Sequence, residues 1–177
     1  MPDKQFPVDG ELWIFALDIY ARENVATACL ALQELIGTDV NLLLFGAWIG
    51  AERGIILNQK SVSVLNELVS SWREDVVRPL RLIRQKLKQA EFLGFTDEIN
   101  ILRNEVKKLE QRGEQLELAR LEHHAASWRT HEEVIPAEAV ETNLRMIVAA
   151  EHDLMPVSGY VRVIGDAAIE WSRQKKL

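Results

Sequence analysis

The sequence predicts an all-α fold, a helical bundle of six to seven helices from which a long antiparallel helical hairpin extends. Three observations lead there. Apolar residues recur every three or four positions along most of the chain, which is the period of an amphipathic helix. Gly, Asn, Asp, Thr and Pro stand where those stretches begin and end, as helix caps require. Two long stretches, about 63–91 and 97–129, carry apolar residues at heptad-like spacing on either side of a short turn, the pattern of two helices packed side by side.

After Gly10, the residues Leu12, Phe15, Ala16, Ile19 and Tyr20 define a first helix to about Arg22, with Trp13 and Leu17 widening an apolar face that is mostly buried. Asn24 is placed to cap a second helix that ends at Ile36, where Gly37 suits a left-handed C-terminal cap. Thr38 or Asp39 caps a third helix, from Val40 to about Arg53. That helix is apolar on every side, so in a soluble fold other helices surround it. It also carries Gly46, Gly50 and Gly54 at four-residue spacing. An interior Gly costs a helix about 1 kcal/mol relative to Ala, so Gly46 and Gly50 predict a neighbouring backbone at close range. Gly54 suits a C-terminal cap as well.

Gly54 to Ser61 reads as a loop. Leu65, Leu68, Val69, Trp72, Val76, Leu80, Ile83 and Leu87 then fall on one stripe of a fourth helix over 63–91, bent or interrupted at Pro79. The sequence GFTDE supplies a turn, a Thr96 cap and an acidic first turn. A fifth helix over 97–129 repeats Ile99, Leu102, Val106, Leu109, Gly113 and Leu116. Pro136 opens a sixth helix that ends before Pro156. The segment 158–175 has Val161, Ile164, Ala168 and Trp171 at helical spacing, although its opening YVRVI also alternates like a strand. No internal repeat or low-complexity linker divides the chain. The 177 residues therefore read as one domain: an apolar three-helix core at 11–53, a hairpin at 63–129 and C-terminal helices at 136–175.

A hydrophobic content of 47% supplies ample core for a chain of this length. A net charge of −6 argues against a protein that coats nucleic acid or an anionic membrane. The charge is segregated, however. Trp72 to Lys88 holds six basic and two acidic residues, whereas Gly113 to Pro156 holds three basic and nine acidic. The single cysteine, Cys29, excludes an intrachain disulfide and fits a reducing compartment. The N-terminus lacks the pattern of a secretion signal, and the longest apolar run, Val40 to Ala51, is shorter than the roughly 20 residues of a membrane span. The expectation is a cytoplasmic protein without a membrane span.

Motifs for chemistry are sparse. His123, His124, His131 and His152 have no Asp, Glu, His or Cys three or four residues away, the spacing by which one helix chelates a metal. Neither Glu-x-x-His nor His-Glu-x-x-His occurs. There is no nucleophile elbow and no Gly-rich phosphate loop. Cys29, on the apolar face of the second helix, reads as a small buried hydrophobe. No metal, cofactor or catalytic residue is assigned, and the balance is against an enzyme.

Two groups of residues remain as candidates for binding. Arg78, Arg81, Arg84 and Lys88 form a basic stripe roughly opposite the apolar stripe of the fourth helix. It reads first as a solvated face. Otherwise it is a contact for an acidic protein segment, for a phosphate-bearing ligand or RNA, or for the acidic residues 114–153 of the same or a second copy. Nucleic acid is the weakest of these, since no aromatic residues interleave the stripe. The second group is polar side chains among the apolar N-terminal helices: Asp18, Gln33 and Asn41, with Arg22, Arg53 and Tyr20 as hydrogen-bond partners. An unpaired buried polar group costs about 1–3 kcal/mol, so these residues read as a structural network. The other reading is a pocket lined by Trp13, Tyr20, Trp48 and Trp72 in which the polar groups orient a small ligand.

The stretches LWIFALDIYAR, ACLALQ, DVNLLLFGAW, WREDVVRPLRLIRQKLK and LRNEVKKLE resemble a family of short, uncharacterised proteobacterial proteins over about residues 11–122. The resemblance implies a small bacterial cytoplasmic protein and transfers no catalytic residue. With a heptad seam and segregated charge but no catalytic motif, the expected function is non-enzymatic. It is an interaction or adaptor protein with an unspecified protein partner, self-associating as a homodimer or other homo-oligomer through the faces of its hairpin. The alternative is a small-molecule-binding protein, or an enzyme of unfamiliar type, with its pocket among the first four helices.

Overall fold

The computed structural model describes residues 6–90, 94–129, 134–149 and 157–175. The helices are α1 (Glu11–Tyr20), α2 (Val25–Ile36), α3 (Val40–Arg53), α4 (Gln59–Trp72), α5 (Arg78–Gln89), α6 (Thr96–His124), α7 (Pro136–Ala149) and α8 (Ser158–Lys175). A π-helical segment, Arg73–Val77, joins α4 to α5. No strand occurs among the described residues. The fold is thus an all-α bundle, and residues 160–164 are helical.

α3 is the axis of the bundle. Every residue from Asn41 to Ala51 is buried, and α1, α2, α6, α7 and α8 all pack against it. Its glycines differ in what they permit. A Cβ at Gly50 would lie 2.8 Å from the Val140 amide nitrogen and 2.9 Å from the Ala139 carbonyl carbon, so α7 crosses there backbone to backbone. At Gly46 the nearest atom is a side-chain end, Ile147 Cδ1 at 2.5 Å. Gly54 is the left-handed C-cap, with φ 59°. Asn143, wholly buried on α7, pins the turn that follows. Its amide nitrogen donates to the carbonyls of Gly46 and Ile55, and its oxygen accepts from the Leu57 amide.

Several local boundaries differ from expectation for identifiable reasons. Asp39, not Thr38, caps α3, accepting from the Leu42 amide at 2.8 Å. Asn24 occupies the N-cap position of α2 in a left-handed conformation but makes no side-chain cap. α4 starts at Gln59 because Asn58 accepts from the Ser61 amide, which shortens the predicted loop. The N-cap position of α6 is Phe95, so Thr96 is its first helical residue, and the helix ends at His124. The single helix predicted over 63–91 is divided by the π segment. Pro79 has no amide hydrogen to give to residue 75, and the wider π turn accommodates that missing bond.

α5 and α6 pack antiparallel as the hairpin. At its base Gly113 lies against Val77, with 3.3 Å between a Cβ built there and Val77 Cγ2. The Trp72 indole N–H donates to the Gly113 carbonyl at 3.0 Å. Toward the tip the core runs out, and α5 contains no buried residue.

Candidate functional site

The first helix is less enclosed than its apolar face predicts: Leu17 is 51% exposed and Leu30 on α2 is 47% exposed. Both border a cleft of about 730 Å³ between the α1–α3 unit and the hairpin. Trp13, Ala16, Leu17 and Tyr20 of α1, Leu30 of α2, Val40 and Leu44 of α3, and Leu118 of α6 supply its apolar surface. Gln33 and Asn41 add amides. The opposite wall is charged, with Arg78, Arg81 and Arg84 from α5 and Lys107, Glu110 and Glu114 from α6.

The cleft therefore draws on both groups of residues that the sequence singled out. Trp13, Tyr20, Gln33 and Asn41 meet Arg78, Arg81 and Arg84 across it. The remaining candidates lie elsewhere. Asp18 is not a buried polar group: it is half-exposed and pairs with Arg22, which also reaches Glu170 and Gln174 of α8. Trp48 is wholly buried in the core under the Arg53 guanidinium. Trp72 is committed to Gly113. Lys88 is exposed and outside the lining.

Two of the four residues of the basic stripe, Arg81 and Arg84, are not on a solvated face. Arg81 donates to Glu110 at 2.9 Å and to Glu114 at 2.6 Å, and Arg84 grips Glu110 through both Nε and a terminal nitrogen. Arg78, paired with Glu74 one turn back, and Lys88 behave as ordinary surface residues. Glu110 is the partner that sequence reasoning missed. It is buried on the same face of α6 as Val106 and Gly113, and a charge at that apolar spacing is the signal that could have found it. Burial pushes its carboxyl up, but the hydrogen bonds from Arg84 and Arg81 outweigh that and hold it below the usual carboxylate range. Glu114 behaves in the opposite way: burial raises its carboxyl above the usual range in spite of Arg81. Burial likewise raises the Tyr20 phenol.

Behind Asn41, and so behind the cleft floor, lies a second charge cluster. Arg73, in the π segment, is 2.6 Å from Asp39 and 3.5 Å from Glu117. The Glu117 side chain is fully buried, and neither of its oxygens accepts a well-formed hydrogen bond. Its carboxyl is pushed up to about 8, first by burial and then by the neighbouring Asp39 charge, against the pull of Arg73. Burial thus favours the neutral form of Glu117 over the carboxylate.

The other sequence candidates for chemistry are dispersed. The His123 ring stacks on Phe6 and His124 meets the edge of Trp128; His131 and His152 lie outside the described residues. No group of three metal-ligating side chains occurs among the described residues. Burial pushes the Cys29 thiol up to about 12, so it is held protonated.

Fold and site together define an all-α bundle with an amphipathic cleft at the root of a helical hairpin. Residues 11–121 match the model of a family described as proteins of unknown function, DUF2390, and the chain belongs to that family. The match takes in α1 to α5 and nearly all of α6, and so every residue that lines the cleft. Comparisons with curated proteins and with solved structures returned no match. No helix among the described residues is long and apolar enough to cross a membrane.

Proposed function

We propose that the protein binds a small amphipathic ligand in the cleft, with an apolar body against Trp13, Leu17, Leu30 and Leu44 and an acidic head toward Arg84 and Lys107. The observation that carries this reading is the cleft itself. Its volume falls within the roughly 300–1,000 Å³ of small-molecule sites, and it is apolar on one wall and charged on the other. Lys107 has no ion-pair partner among the described residues, and it stands beside two arginines whose positive charge is shared with Glu110. Among the described lining residues there is no Ser, Thr, Cys or His, so binding is favoured over nucleophilic catalysis.

The test uses 1-anilinonaphthalene-8-sulfonate, which has an apolar ring system and one anionic head. Saturable binding at one site per chain is expected. The double substitution Leu17→Arg with Leu30→Arg, at two exposed positions, should weaken it at least tenfold without moving the thermal midpoint. Lys107→Glu should weaken it severalfold, and less so in high salt because the head is at the cleft mouth. Non-saturable binding, or binding that both variants leave unchanged, would remove the proposal. Native mass spectrometry of the protein purified from its host would then identify a retained ligand by mass.

A further inference from the structure

The hairpin has a second face. On α6, Val106 and Gly113 turn toward α5, Glu110 stands between α5 and the cleft, and Lys107, Gln111 and Glu114 turn to the cleft. Leu102, Leu109 and Leu116 recur every seven residues on the helix side roughly opposite the cleft, by about 150° at 100° per residue. They are 47%, 58% and 37% exposed. On α5 the same construction, taking Arg81 and Arg84 as the cleft side, places Ile83 on the opposite side, and it too is exposed. An antiparallel two-helix face with an apolar stripe on one helix and Ile83 on the other is half of a four-helix bundle.

We infer that this back face of the hairpin, built on Ile83, Leu102, Leu109 and Leu116, binds the same face of a second copy of the chain. The charges at its edges select that occupant. Arg81 and Arg84 meet Glu110, and Val77 lies on Gly113; this register puts Lys86 of α5 level with Glu105 of α6. Both are exposed at the outer borders of the face, and neither has an ion-pair partner among the described residues. A two-fold axis parallel to the hairpin sets α5 of one copy antiparallel against α6 of the other at the same height. Lys86 of each copy then meets Glu105 of the other, twice in one dimer, in the manner of the flanking charges of a coiled coil. The contact spans the stretch from Leu102 to Leu116, about 21 Å at 1.5 Å per residue. That length gives a small interface, so the dimer belongs to the concentration-dependent class. The cleft opens on the other side of the hairpin and stays accessible in it.

Sedimentation of the full chain from about 1 to 200 µM should show a monomer–dimer equilibrium. Leu109→Glu should weaken it at least a hundredfold while leaving the thermal midpoint of the dilute monomer unchanged. Lys86→Glu alone and Glu105→Lys alone should each weaken it at least tenfold. An equimolar mixture of those two variants should associate as the parent does, because both edge contacts of the mixed dimer again join opposite charges. A strict monomer at 200 µM overturns the inference. So does a dimer indifferent to Leu109→Glu, and so does a mixture that associates no better than its components.

Discussion

Arg73 stands between two carboxylates and is nearer to one. Asp39 already accepts from the Leu42 amide as the cap of α3, so its charge is held in place and takes the closer contact with Arg73. Glu117 is left buried at 3.5 Å, where its ionised form gains too little to offset desolvation. The consequence for stability has a definite sign. Glu117 is pushed up to about 8 in the folded chain, against an unfolded value near 4.3. Between about pH 4.5 and 8 the native state holds a proton that the unfolded state has released, so this residue makes stability fall as pH rises through that window. Glu117→Gln keeps the shape and removes the titration. Relative to the parent it should gain stability progressively from pH 5 to pH 8, by an amount on the order of 1–4 kcal/mol at the upper end. Urea unfolding at several pH values checks it; parallel pH profiles for the two proteins would mean that Glu117 is ionised in the fold.

At the scale of the helix, a close neighbour for α3 was legible in the sequence, although not that the neighbour is α7. Glycines at four-residue spacing inside an apolar helix clear one side of it down to the backbone, and only a close neighbour makes use of that space. The spacing did not reveal that the two glycines are unequal. Gly50 faces the α7 backbone, which cannot move without displacing the helix, whereas Gly46 faces the flexible end of Ile147. Alanine raises intrinsic helix propensity equally at both positions, by about 1 kcal/mol. Gly50→Ala should nonetheless destabilise by about 2 kcal/mol or more, and Gly46→Ala by about 1 kcal/mol or less. Equal denaturation midpoints would show that α3 and α7 separate more easily than their packing implies. The π segment was less legible. Pro79 announced a disturbance in the fourth helix, but a kink, a break and a π turn all relieve a missing amide, and only the packing of Val77 on Gly113 and of Arg73 on Asp39 selects among them.

Taken whole, the molecule divides into a firmly buried bundle and a hairpin whose outer half rests on ion pairs and partly covered leucines. Both parts could be read from the chain, since continuous apolarity marked α3 and heptads marked the hairpin. The cleft could not, because α1 and α5 are far apart in sequence and which arginines face Glu110 depends on how the hairpin leans on α1. Local stability should follow the division. In dilute solution, at about 1 µM, amides of α5 and of α6 before Val106 should exchange well before those of α3, through opening that leaves the bundle intact. Exchange at one common rate in both would mean that the molecule opens only as a unit.

The long reach of Asn143 also bears on how the chain is made. This one side chain closes the turn after α3 from a position 86 to 97 residues further along, and α7, which carries it, is the helix that covers Gly50. On the ribosome α3 is therefore complete about 90 residues before its lid exists. At about 5–20 residues per second, a helix buried along most of its length spends several seconds or more without its principal neighbour. The order of synthesis thus obliges the most completely buried element of the protein to wait for one of the last.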